Sequence, residues 1–132
     1  MSRQFVSSGS EWEEQVGYSR AVRVGDQVFV SGTTASDENG RPIRPGDFEA
    51  QTRGAIAKIV AALEEAGAEA RHVVRTRVFT TDITKWGEIG RAHAAAFGET
   101  RPAMTLVEVR RLIDPDHLVE IEADAVIPKA SE

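Results

Sequence analysis

Leu118-Val119-Glu120-Ile121-Glu122-Ala123-Asp124-Ala125 alternates strictly between apolar and acidic residues, and that alternation sets the architecture of the chain. Successive side chains of a strand point to opposite faces, so Val119, Ile121, Ala123 and Ala125 face one way while Glu120, Glu122 and Asp124 face the other. Three carboxylates on one face repel one another unless they meet water, arginines on a neighbouring strand or a polar pocket. Just upstream, Arg101-Pro102-Ala103-Met104-Thr105-Leu106-Val107-Glu108-Val109 reads as a second strand, and a loop containing Asp114-Pro115-Asp116 joins the two.

Further from the C-terminus, Ala21-Val22-Arg23-Val24 and Gln27-Val28-Phe29-Val30-Ser31 are β-rich runs on either side of Gly25-Asp26, a composition suited to a tight hairpin. Ser31-Gly32-Thr33-Thr34 ends the second run with small residues, and Asp37 to Gly46, with Asn39-Gly40, Pro42 and Pro45, is loop. From about Phe48, Ala55, Ile56, Ile59, Val60 and Leu63 recur at helical spacing, with Asp47 as N-cap and Gly67 as stop. His72 to Thr81 returns to strand character. Thr84 is then expected to cap a second helix that presents Trp86, Ile89, His93 and Phe97 and ends near Gly98.

Hairpin, helix, strand, helix, strand, strand is an α+β order in which two helices cover one face of a mixed sheet. Residues 1–132 are read as a single domain, because 132 residues at 41% hydrophobic fill one core and leave little for another. Val, Ile and Ala on the sheet face away from the helices would lie bare, and self-association is the usual way to cover such a surface. A homo-oligomer is therefore expected.

Sixteen Lys and Arg against 21 Asp and Glu give a net charge of -5, and the basic residues are scattered, so no nucleic-acid partner is expected. The lack of cysteine removes disulfides, thiolate metal sites and thiol nucleophiles, and suits a reducing compartment. The first residues hold no apolar leader, and no run is long enough to span a bilayer. A soluble cytoplasmic protein without a membrane partner is the expectation.

Several short motifs occur in an order that resembles the RidA, or YjgF, family. They are Gly17-Tyr18-Ser19, Val30-Ser31-Gly32, Leu63-Glu64-Glu65-Ala66-Gly67-Ala68, Val78-Phe79-Thr80-Thr81-Asp82-Ile83 and, most specifically, Arg101-Pro102-Ala103 through Val109 with Val119-Glu120-Ile121-Glu122-Ala123. The resemblance implies a chorismate-mutase-like fold and a homotrimer with small-molecule clefts between subunits. It also implies hydrolysis of imines and enamines such as 2-aminoacrylate to a keto acid and ammonia, with neither metal nor organic cofactor. Tyr18, Ser31 and Glu120 match pocket residues of the deaminating members. Glu120 is thus the candidate catalytic carboxylate, and Tyr18, Ser31, Gly32, Met104 and Thr105 are the candidate ligand-binding residues.

Three positions depart from the family pattern. Its substrate-binding arginine falls on Met104, an asparagine of its second helix on Gly90, and a frequent cysteine on Leu106. Losing the arginine removes a charge-assisted contact worth roughly 1.5 to 3 kcal/mol, so classical 2-imino acid deamination is expected to be weak. Arg101 is an odd number of residues from Met104, which points it to the opposite face of a strand. Methionine suits an uncharged or larger apolar ligand. A non-enzymatic ligand-binding or interaction module on the same trimer is the alternative. The endoribonuclease activity for which some members are named fits poorly with the acidic balance.

The residues alone leave other readings open. Glu120 and Glu122 have the period to pair with Arg75 and Arg77 across a sheet. Tyr18 at the start of a hairpin is commonly a packing residue with a wetted hydroxyl, and Ser31 before Gly32 a turn serine. His93 reads as a histidine half-buried between helix and sheet, and no two histidines have metal-ligand spacing. His117 beside Asp114 and Asp116 in a loop is a weak metal signal.

Overall fold

The computed structural model describes residues 2–129. In chain order its elements are β1 (Arg3–Val6), α1 (Glu11–Val16), β2 (Ala21–Val24), β3 (Gln27–Thr33), α2 (Phe48–Glu65), β4 (Val73–Thr80), α3 (Trp86–Phe97), β5 (Ala103–Glu108) and β6 (Val119–Val126), with short 3-10 turns at Ala70–His72 and Ile83–Lys85. The strands form one six-stranded sheet in the order β1-β2-β3-β6-β4-β5. Neighbours are antiparallel except β4 and β5, which α3 connects as a parallel pair.

The alternation of β6 does what its pattern requires. Val119, Ile121, Ala123 and Ala125 are buried under α2 and α3, with Val28, Val30 and Val78 beside them from the flanking strands. From α2, Ala55, Ile56, Ile59 and Leu63 complete the layer, and Ile89 and Phe97 do so from α3. Removing a fully buried leucine such as Leu63 leaves a cavity and costs about 2 to 5 kcal/mol. Asp47 caps α2 by accepting from the Ala50 N–H, and Gly67, at φ 90°, follows its last turn. The β2–β3 hairpin turns at Gly25-Asp26 with Gly25 in the left-handed region, φ 62°.

Four features differ from the sequence expectation. β1 and α1 were not foreseen. β1 has four residues, of which only Val6 is buried, and α1 has six, so neither is long enough to show a period. Ser10 caps α1, Gly17 ends it at φ 87°, and Glu13, buried beneath it, accepts hydrogen bonds from Ser7 and Ser8. Thr84 does not cap α3; Asp82 accepts from its N–H and hydroxyl at the start of a 3-10 turn, and Trp86 is 65% exposed rather than in the core.

The fourth concerns the face of the sheet away from the helices. The Val, Ile and Ala of β6 lie under the helices, while the open face carries Phe5, Phe29 and Val107, all exposed, interspersed with charge. The apolar patch there is made by Phe5 of β1, Phe29 of β3 and Val107 of β5.

Candidate functional site

Glu120, Glu122 and Asp124 share the open face of β6, and the register of β4 gives each a different neighbour. Arg77 lies across from Glu122, with Nη1 3.3 Å from its Oε1 and 3.4 Å from Asp124 Oδ2, an exposed pair of the kind worth under about 1 kcal/mol. Arg75 is level with Asp124. Glu120 lies across from Phe79, and among the described residues its carboxylate closes no ion pair, with Arg20 near enough only to be felt as a charge. The pairing that the residues left open is thus taken by Glu122 and Asp124 through Arg77, while Glu120 stands outside it.

On its other side Glu120 meets β3 where the β3–β6 register slips between Val30 and Thr33. Gly32 sits in that irregularity. A Cβ on Gly32 would come 2.6 Å from Glu120 Oε2, so the carboxylate occupies the space that any other residue would fill. Burial raises the pKa of Glu120 above the usual glutamate value; the nearby Arg20 opposes the rise and Glu122 adds to it. Gly32, Phe79, Val109, Arg111, Leu112, Glu120 and Glu122 line a shallow groove of about 400 Å³.

The segment before β2 borders the same end of the sheet. Gly17 turns the chain out of α1, so that Tyr18 follows it and Arg20 begins the ladder, its N–H donating to Val6 O and its carbonyl accepting from Ser31 N–H. Arg20 Nη2 donates to Gly32 O at 2.5 Å, and its guanidinium carbon lies 5.8 Å from the centre of the Tyr18 ring. Ser31 Oγ donates to Ser19 O at 2.7 Å, which commits its proton to the backbone. Tyr18, Ser31, Gly32 and Glu120 therefore meet in one place, with Arg20 among them. The sequence reading stopped at Ser19 and passed over Arg20. The signal was available, because Tyr18 and Arg20 are two residues apart and Arg20 is level with Ser31.

Met104 and Thr105 lie elsewhere in the chain. β5 is the outer strand beyond β4, two strands away from β6. Register puts Thr105 level with Arg77 on the open face and Met104 level with Thr76 on the helix face, where Leu106 packs on the core. Within one chain Met104 and Glu120 thus sit on opposite faces of the sheet. Arg101 adopts φ 52° before β5, and its Nε donates to Gly98 O.

The histidines hold structure together. His93 shares a 2.8 Å hydrogen bond with Thr76 and tilts against Phe97, and burial lowers its pKa. His117 Nε2 is 3.0 Å from Ser36 Oγ and clasps two loops. The fully buried Gln51 does the same from α2: its amide donates to Ile43 O and Asp116 O, and its carbonyl accepts from Leu118 N–H. That brings the Asp114–His117 loop and the start of β6 to a fixed place beside the groove. Among the described residues no three His, Asp or Glu side chains converge as metal ligands, and no helix is long and apolar enough to cross a membrane.

A family model described as Endoribonuclease L-PSP matches residues 9–127. A solved Mycobacterium tuberculosis structure, from a member of the YjgF/YER057c/UK114 family, is 54% identical and superposes with a TM-score of 0.87, covering 96% of this chain and 100% of that one. An uncharacterized protein of Streptomyces coelicolor is 41% identical over 120 residues, 91% of this chain and 89% of the relative. The 3-aminoacrylate deaminase RutC of Acinetobacter baylyi is 35% identical over 108 residues, 82% of this chain and 85% of the relative.

Proposed function

The chain belongs to the Endoribonuclease L-PSP family, called YjgF or RidA in the resemblance above, and from that premise we propose that it binds or hydrolyses a small imine, enamine or related carbonyl metabolite. Its α+β architecture is the chorismate-mutase-like one of that family. One observation carries the proposal: Glu120 is half-buried over Gly32 at the head of a groove, without an ion-pair partner among the described residues and with its proton affinity raised by burial. A carboxyl group whose proton affinity is raised in this way is a stronger base than a solvated one. The kinship with a 3-aminoacrylate deaminase supports a nitrogen-bearing unsaturated substrate.

In this reading Glu120 takes a proton from water as its oxygen adds to the imine carbon, and the C=N π pair moves to nitrogen. Glu120 then returns the proton to nitrogen, which gives a carbinolamine; the carboxylate next takes the hydroxyl proton and passes it to nitrogen as the C–N bond breaks, so that ammonia leaves behind a carbonyl. Imine and water become carbonyl and ammonia, and no step calls for a metal or an organic cofactor. Tyr18, Ser31 and Gly32 shape the ligand's surroundings.

The clefts are read as lying between the subunits of a homotrimer. β5 is an edge strand with Met104 38% exposed on it, and the open face carries exposed Phe29 and Val107, surface that a second copy would cover. Met104 and Thr105 of one subunit then meet Tyr18, Ser31, Gly32 and Glu120 of the next. Work in the cytoplasm accords with a chain free of cysteine. With Met104 where the deaminating members carry arginine, classical 2-imino acid hydrolysis is expected to be slow. That substitution also favours the second reading, a ligand-binding module that keeps the trimer without the chemistry.

The test generates 2-aminoacrylate enzymatically and follows its decay with the native protein, Met104→Arg and the double variant Met104→Arg/Glu120→Gln. Expected are slow turnover by the native protein, acceleration by Met104→Arg and its loss in the double variant. Fast turnover that survives Glu120→Gln would overturn the role of Glu120. No acceleration in any form favours the binding module. Light scattering at a mass other than three chains would overturn the trimer.

A further inference from the structure

We infer that Ser36 and His117 form a nucleophile and base pair that accepts the acyl group of a small ester, at a site that stands apart from the Glu120 groove. The two residues lie 81 positions apart in the chain, and α2 brings them together. Gln51 of α2 donates to Ile43 O in one loop and to Asp116 O in the other. Further along the helix, Gly54 lets the first loop lie close, since a Cβ there would come 2.9 Å from Ala35 Cβ and 2.8 Å from Ile43 Cδ1. Ser36 Oγ and His117 Nε2 are thereby held 3.0 Å apart.

A serine hydroxyl is a weak nucleophile until a neutral base takes its proton. His117 meets that need. Its ring is 7% exposed, and burial lowers its pKa below the usual 6.5; Asp114, the Ala35 carbonyl and Asp116 oppose the fall, and Lys58 adds to it. The ring is therefore neutral near neutrality, and in the tautomer with its proton on Nδ1 the Nε2 lone pair accepts from Ser36. Thr34 Oγ1 lies 3.2 Å from Ser36 Oγ and donates to it in that arrangement, which leaves the Ser36 proton to His117. Ser36 itself is only part-buried, so a small acyl donor reaches it.

Lys58 supplies the charge. From α2 its ammonium donates to Ser36 O at 3.4 Å, which puts a half-buried cation beside the nucleophile, where the oxyanion develops. In the first step Ser36 Oγ bonds to the ester carbonyl carbon, its proton passes to His117 Nε2, and the carbonyl π pair moves onto oxygen. That pair then returns, the C–O bond to the alcohol breaks, and His117 gives the departing alcohol its proton. Water repeats the sequence on acyl-Ser36: its proton goes to His117 and on to Ser36 Oγ as the acid leaves. Ester and water become alcohol and acid.

The experiment adds p-nitrophenyl acetate to the native protein, Ser36→Ala and His117→Gln, follows nitrophenolate release and maps the acetyl group by peptide mass spectrometry. The native protein is expected to carry acetyl on Ser36 and to release nitrophenolate about tenfold or more faster than either variant, the loss expected when a nucleophile or its general base is removed. Its rate is expected to rise with pH through the lowered His117 pKa, as the ring gives up its proton, and to level off above it. Equal release by the native protein and Ser36→Ala overturns the inference, as does acetyl found on Lys58 or other amines with none on Ser36. Should the variants not fold, diisopropyl fluorophosphate on the native protein decides: a phosphoryl adduct on Ser36 is expected, and its absence overturns the inference.

Discussion

The two ends of β6 start from the same sequence device and finish in different roles. Glu122 and Asp124 lie across from arginines and share Arg77, whereas Glu120, two residues earlier on the same face, lies across from Phe79 and against Gly32. The side chains are alike, and the partner strands differ. A carboxylate opposite an arginine closes an ion pair between two strands. A carboxylate opposite an aromatic ring keeps its proton longer and is free to move it.

The strongest way to break this contrast is Glu120→Gln. It is expected to lower any hydrolytic rate by about a hundredfold or more, the usual span for a positioned proton carrier, with little change in the thermal midpoint. A matching loss for Glu122→Gln would erase the distinction between the two ends. Gly32→Ala comes next, since its new Cβ would meet Glu120 Oε2 at 2.6 Å and displace the carboxylate. A fall in rate of roughly tenfold is expected, about 1.4 kcal/mol in the barrier, with the Arg77 end of the strand unaffected. Retention of full rate would show that Glu120 need not sit where it does.

Acid sharpens the same contrast through stability. The folded-state pKa of Glu120 is raised from 4.5, chiefly by burial, so the unfolded chain loses that proton first as pH increases. Its contribution to stability is fully present below the unfolded value and is lost as pH rises through the raised folded value. Subtracting the unfolding curves of Glu120→Gln from those of the native protein isolates this term, and it is expected to fall with pH across that window. Glu49 and Glu69, lowered by hydrogen bonds from Arg53 and Arg71 in turn, act in the opposite sense and cancel in the subtraction. The smallest effect is that of Arg77→Gln, an exposed partner whose loss costs under about 1 kcal/mol. Urea titration is expected to register it with the catalytic rate intact.

Much of the fold was legible because hydrophobic period reports directly on faces. The alternation in β6 and the helical spacing from Ala55 to Leu63 needed no partner to be read. What period cannot report is which strand lies alongside and in what register. Met104 was grouped with Glu120 by motif, and only the parallel pairing with β4 reveals that the two side chains leave the sheet on opposite faces. Arg20 was passed over for a related reason. Its bond to the Gly32 carbonyl and its charge beside Glu120 are properties of the assembled site. β1 and α1 escaped notice because four and six residues are too few for a period to emerge.

The strand order bears on how the molecule comes into being. β6 is translated after the other five strands, yet it lies between β3 and β4, whose core residues have no sheet neighbour on that side until it arrives. Within the sheet, the β1–β3 ribbon and the β4–β5 pair are joined only through β6, so each keeps an unpaired edge until that strand is in place. The sheet becomes continuous only with the last strand to be made.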